Sequence, residues 1–221
     1  MLPTLALVWC WLLVVALLGG AAHGQVDFFE VARDGSVEDV RAALEAGADV
    51  NARTEGGLTP LMFTAAFNEN PEVLRVLIDA GANLEARDES GVTPLIFAAG
   101  FNENPEAVRV LVDAGANLEA RTEDGVTPLM YAAAFNENPA VLRVLVDAGA
   151  NLEARTEDGL TPLMFAARRN ENPEVVSVLL DAGADATATS LEGLRAIDYA
   201  RDNEHLQGTD AYWQLHDAGF D

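Results

Sequence analysis

Side chains able to bind a cation or move a proton recur along this chain at fixed intervals. FNENPE begins at Phe67 and again at Phe101, FNENPA at Phe135 and RNENPE at Arg169. Asn and Glu oxygens suit a hard cation such as calcium, yet a calcium loop gathers its ligands within one short segment. Here each Asn-Glu-Asn triplet is isolated from the next, so no calcium site is implied. A second candidate lies near the C-terminus, where His205 and His216 share a segment with Glu204, Asp210 and Asp217. Imidazoles among carboxylates can hold a metal or exchange protons. An enzyme with its site there is the alternative to a structural segment with exposed histidines. A nucleophile elbow, a Gly-rich phosphate loop and an H-E-x-x-H helix are all missing. Carboxylates are too numerous for any pair to stand out as acid and base. These residues imply no catalytic residue, no metal and no cofactor, and the expectation is a non-catalytic protein.

What positions them is a period of thirty-four residues. Gly57-Leu-Thr-Pro-Leu-Met returns as Gly91-Val-Thr-Pro-Leu-Ile, Gly125-Val-Thr-Pro-Leu-Met and Gly159-Leu-Thr-Pro-Leu-Met, and Asp-Ala-Gly-Ala recurs from Asp79, Asp113, Asp147 and Asp181. Such a period means a stacked array. Within a unit, Thr59-Pro60 opens one helix and Asn70-Pro71 a second. In each, a polar side chain can accept an orphan N–H, and Pro has none to leave unpaired. Val73, Leu74, Leu77 and Ile78 follow at helical spacing, and Gly81 ends the helix. The remainder, through Asp88, Ser90 and Gly91, reads as an extended finger.

Helix, turn, helix and finger, with T-P-L and a following G-A-[DN], resemble the ankyrin repeat over residues 25–221, as an all-α solenoid. The resemblance divides the chain into an N-terminal capping unit (25–56), four full units (57–90, 91–124, 125–158, 159–192) and a C-terminal cap (193–221). The family usually has His after T-P-L. Here Met62, Ile96, Met130 and Met164 stand there, so the hydrogen bonds of that His are expected to be absent and replaced by apolar packing. The first unit is one residue shorter between its helices: Ala32 to Gly47 spans fifteen positions, Ala65 to Gly81 sixteen. The extra residue of the full units therefore falls in FNENPE. Asn70, Asn104, Asn138 and Asn172 are expected to be helix caps, and Ser36 with Asp39 a capping box.

Residues 1–24 differ from everything after them. They carry no charged side chain, Leu5 to Leu18 is wholly apolar, and small residues precede Gln25. They read as a cleaved secretory signal, with an uncleaved membrane anchor as the alternative. The one cysteine, Cys10, lies inside this leader, and the chain has no Asn-x-Ser/Thr sequon. Both facts favour the periplasm, or secretion, with no membrane contact after cleavage. The thirteen basic residues are all Arg, against thirty-six acids, for a net charge of −23. Such a surface repels nucleic acid and favours a cationic partner.

The resemblance implies a protein-binding module, expected as a monomer, with function on the surface that successive units align. Its finger tips carry Glu55, Glu89, Glu123, Asp124, Glu157 and Asp158, with Arg53, Arg87, Arg121 and Arg155 beside them. These acids and arginines either pair with each other across the fingers or face a partner with a basic patch. Phe67, Phe101 and Phe135 form a second ladder, interrupted by Arg168 and Arg169. It is either packed beneath the turn or exposed as an aromatic stripe.

Overall fold

The computed structural model describes residues 28–219, and the leader expected over 1–24 lies outside them. The described chain forms twelve α-helices in six consecutive pairs: α1 Phe28–Asp34 and α2 Val37–Glu45, α3 Pro60–Phe67 and α4 Pro71–Asp79, α5 Pro94–Phe101 and α6 Pro105–Asp113, α7 Pro128–Phe135 and α8 Pro139–Asp147, α9 Pro162–Arg169 and α10 Pro173–Asp181, α11 Ala196–Ala200 and α12 Asp210–Ala218. None is long and apolar enough to cross a membrane.

Helix starts follow from the sequence. Thr59 accepts the N–H of Met62, and Asn70 accepts that of Glu72, each with Pro at the first helical position. Ser36 and Asp39 make a reciprocal capping box at the start of α2. The His-to-Met replacement has an unexpected result. Besides packing in the core, the sulfurs of Met62, Met130 and Met164 lie 3.3, 3.5 and 3.5 Å from the N–H groups of Thr59, Thr127 and Thr161. A weak acceptor is retained where apolar packing alone was expected, except at Ile96, which has no sulfur.

The two helices of a pair bury different amounts of surface. The first is apolar on nearly all sides: every residue of α3 from Pro60 to Ala66 is buried. Its small residues let neighbours approach, with Ala65 and Ala66 in α3, Ala98, Ala99 and Gly100 in α5 and Ala132, Ala133 and Ala134 in α7. The second helix is amphipathic, burying Val73, Leu74 and Leu77 in α4 while Arg75 and Asp79 stay at the surface. Fully buried leucines such as Leu77, Leu111, Leu145 and Leu179 each contribute about 1.5–3 kcal/mol relative to exposure. First helices pack on first helices more intimately than second on second.

Each unit ends in a finger whose tip needs glycine. Gly91 has φ of +78°, and a Cβ there would lie 3.1 Å from the backbone nitrogen of Glu123 in the next finger. A side chain is disfavoured both by the dihedral and by that approach.

Candidate functional site

The residues expected to meet a partner fall into two groups, at opposite ends of the first helices. An eight-residue helix is about 12 Å long, so the two groups do not touch. The finger tips lie at the N-terminal end and the Phe ladder at the C-terminal end.

At the finger end, each tip is closed by hydrogen bonds from Gly57 N–H to the Thr54 carbonyl and from Thr54 N–H to the Leu58 carbonyl, both 3.0 Å, and their equivalents. The Thr54 hydroxyl also accepts the Leu58 N–H, as Thr122, Thr156 and Ser190 do in their own fingers. Asp88 replaces this hydroxyl in the second finger and accepts from Ser90 and Val92 at 2.9 and 2.8 Å. Partial burial raises its pKa above the ordinary carboxylate value; the two N–H bonds oppose this rise, and neighbouring Glu89 and Glu123 add to it.

The arginines beside the tips do not pair with the tip acids. Arg87 donates to the carbonyls of Gly91 and Arg121, at 3.1 and 2.6 Å. Arg121 donates to Gly125 and Arg155, at 3.0 and 2.8 Å, and Arg155 to Gly159 and Thr189, at 3.2 and 2.7 Å. Arg53 reaches the Arg87 carbonyl in the same way. Each guanidinium thus sews its own finger to the next one. Glu55, Glu89, Glu123, Asp124, Glu157 and Asp158 remain exposed, and among the described residues none forms an ion pair. Pairing across the fingers is therefore replaced by bonds to backbone carbonyls, which lie within reach of every arginine.

At the other end, the FNENPE turn separates into three roles. Its first Asn is buried and staples adjacent units: the Asn102 amide donates to the carbonyls of Ala65 and Asn68 at 3.0 and 3.2 Å, while its oxygen accepts the Asn104 N–H at 2.9 Å. Asn68, Asn136, Asn170 and Asn203 do the same at the other interfaces. The second Asn caps the second helix, and in Asn104, Asn138 and Asn172 its amide also donates to a backbone carbonyl of the unit before. Between them stands Glu. Asn68 bonds to Gly35 where Asn102 bonds to Asn68, so Gly35 takes the place of the first Asn. Ser36 caps α2 as Asn70 caps α4. The residue that the longer turn adds is therefore Glu69 and its counterparts Glu103, Glu137 and Glu171.

The aromatic rings lie alongside. Phe67 and Phe101 are each 37% exposed, and Phe135 is half-buried. Phe101 stacks on Phe135, with centroids 6.3 Å apart and planes 19° apart, and both meet Tyr131. Arg169 lies over the Phe135 ring at 5.7 Å, and Arg168 over Tyr199 at 5.8 Å. Burial, and secondarily Arg168, lowers the pKa of Arg169; an arginine remains a cation nonetheless. The ladder is thus exposed at its N-terminal end and packed at its C-terminal end. Gly100 stands where other units have Ala66 and Ala134, and a Cβ there would meet Tyr131 at 3.1 Å.

The family model for ankyrin repeats (3 copies) matches residues 28–122 and again 97–190. The chain belongs to the ankyrin-repeat family. Ankyrin repeats are protein–protein interaction modules. Among curated proteins none matches the chain significantly. In these ankyrin units, Phe97, whose ring lies 6.2 Å from that of Phe101, Tyr131 and the buried Asn staples went unrecognised in the sequence. The signal was present, because both Asn of the turn recur with equal regularity, but periodicity does not tell a cap from a staple. In α12, His216 approaches Asp217 at 3.1 Å and packs edge-on against Trp213. Among the described residues, His205 and His216 belong to no cluster of three metal-ligating side chains.

Proposed function

We propose that this chain is an exported, monomeric, non-catalytic ankyrin protein that binds a partner protein through the acidic face formed by its finger tips and first helices, and that the partner presents a basic patch. The observation that carries this proposal is the separation of charges on that face. Its arginines are engaged by carbonyls and aromatic rings, while its tip carboxylates are exposed and, among the described residues, have no ion-pair partner. A guanidinium bonded to a carbonyl keeps its charge, but six tip acids against four arginines leave the net field negative, which steers a cationic surface inward. Export rests on the charge-free, apolar character of residues 1–24, and the periplasm on a chain whose one cysteine is Cys10.

The test has two arms. Mass determination of the exported protein should place its first residue at or near Gln25; an intact leader in the membrane fraction would mean an anchor. A partner recovered on the immobilised domain should associate more slowly as salt is added, because screening acts over about 8 Å at physiological ionic strength. It should also associate more slowly with the combined Glu89→Gln, Glu123→Gln and Glu157→Gln variant. A rate indifferent to salt and to those substitutions would remove the acidic face from the account.

A further inference from the structure

The aromatic ladder is asymmetric. Phe101 is stacked on Phe135, and Phe135 is covered by the guanidinium of Arg169. Phe67 has no ring partner among the described residues. Between Phe67 and Phe101 the surface opens into a groove of about 590 Å³, bordered by Glu69, Glu103 and Asn104. The amides around it already donate to backbone carbonyls. Asn102 bonds to Ala65 and Asn68, and Asn104 to the carbonyl of Glu69. The carboxylates of Glu69 and Glu103 are exposed and, among the described residues, have no ion-pair or hydrogen-bond partner. The groove therefore offers two ring surfaces and two negative charges.

We propose that this groove is a slot for an arginine side chain on an extended basic segment of the partner protein. The slot presupposes the protein-binding role proposed above and specifies its chemistry. Further along the ladder the molecule already makes this contact with its own residue, Arg169 on Phe135. A planar guanidinium can lie on a phenyl face while its N–H fork meets a carboxylate. A lysine ammonium is a strongly hydrated point charge and gains less from the rings. The added turn residue, Glu69 or Glu103, supplies the counter-ion beside the aromatic surface.

The experiment uses the full chain and two labelled probe peptides of equal length and charge, one alternating Gly with Arg and the other Gly with Lys, followed by titration and by NMR mapping. The arginine peptide should bind about three- to fivefold tighter, the margin of an exposed cation–π contact. Phe67→Leu, which keeps apolar volume and removes the ring, should erase that margin while leaving lysine-peptide binding and the circular dichroism unchanged. Glu69→Gln with Glu103→Gln should weaken both peptides. Arg169→Gln should increase arginine-peptide binding by uncovering Phe135, a gain that misfolding cannot imitate. Equal affinity for the two peptides, or a margin that survives Phe67→Leu, overturns the slot. Peptide-induced shifts confined to the finger tips also overturn it, while leaving the acidic binding face standing. If neither peptide binds at low salt, the slot and the acidic face both fall.

Discussion

Two sets of glutamates three residues apart in sequence meet opposite fates. On the second helices, Glu72 pairs with Arg75 at 3.1 Å, Arg75 reaches Glu106 of the next unit at 3.1 Å, Glu106 takes Arg109 at 3.3 Å, and Arg143 reaches Glu174 at 2.8 Å. In the turns, Glu69, Glu103, Glu137 and Glu171 are exposed, and no ion pair reaches them among the described residues. The glutamates of the second helices are paired with arginines; the turn edge is an unpaired row of acids beside aromatic rings. Nearness in sequence does not separate the two sets. What separates them is where the arginines of the same and neighbouring units arrive, and the helical rise of three residues brings Arg75 to Glu72 and away from Glu69.

The strongest way to test this division is to remove the staple that holds the turn in place. Asn102→Ala deletes two donors to buried carbonyls and the acceptor for the Asn104 N–H, and should lower stability by roughly 2–4 kcal/mol. Asn104→Ala, which removes mainly a cap, should cost roughly 0.5–2 kcal/mol. Thermal denaturation of both variants decides the matter: equal losses would show that the buried Asn is no staple. A calcium-dependent melting temperature in the parent that Asn104→Ala abolishes would make the turn a ligand site.

A medium effect is expected at the finger end. The pKa of Asp88 is raised in the folded state, mainly by burial, so the folded chain holds this proton more tightly than the unfolded chain. The associated stability is fully present below the unfolded carboxylate pKa and is lost as pH rises through the folded one. Asp88→Thr, which restores the residue of the first, third and fourth fingers, should therefore melt above the parent at neutral pH. That advantage should shrink as the pH is lowered through the acidic range. An advantage that grows on acidification would mean that the two N–H bonds to Asp88 outweigh its desolvation.

The smallest effect compares the two glutamate sets directly. Glu106→Gln should cost about 0.2–1 kcal/mol at low salt, the usual worth of an exposed pair. Glu103→Gln, with no ion-pair partner to lose among the described residues and a chain of net charge −23 around it, should be neutral or slightly stabilising. Added salt should bring the two variants together. If Glu103→Gln is as costly as Glu106→Gln, the turn acid is paired in solution.

Much of the architecture was legible in the residues themselves. Thr-Pro and Asn-Pro mark helix starts because capping and the missing proline N–H are local physics, and the helices begin at Pro60, Pro71 and their equivalents. The finger tips were legible as recurring positions, but their bonding was not. Arg87 beside Asp88 and Glu89 suggests an ion pair, yet its guanidinium takes two carbonyls, one of them thirty-four residues away. A carbonyl is the same in every residue, so no side-chain pattern announces such a partner.

By itself the sequence determined the period, the helix pairs, the caps and the sign of the surface charge, because each depends on neighbours within a few positions or on composition alone. Only the tertiary structure decided which of two alternating asparagines is buried, which glutamates find arginines, and why Phe67 has no ring partner among the described residues while Phe101 and Phe135 are stacked. Those outcomes depend on how one unit is set against the next. In a stacked array every unit carries nearly the same local code, so differences between units arise at their interfaces, where a single residue such as Arg169 or Gly100 changes what its neighbours can touch.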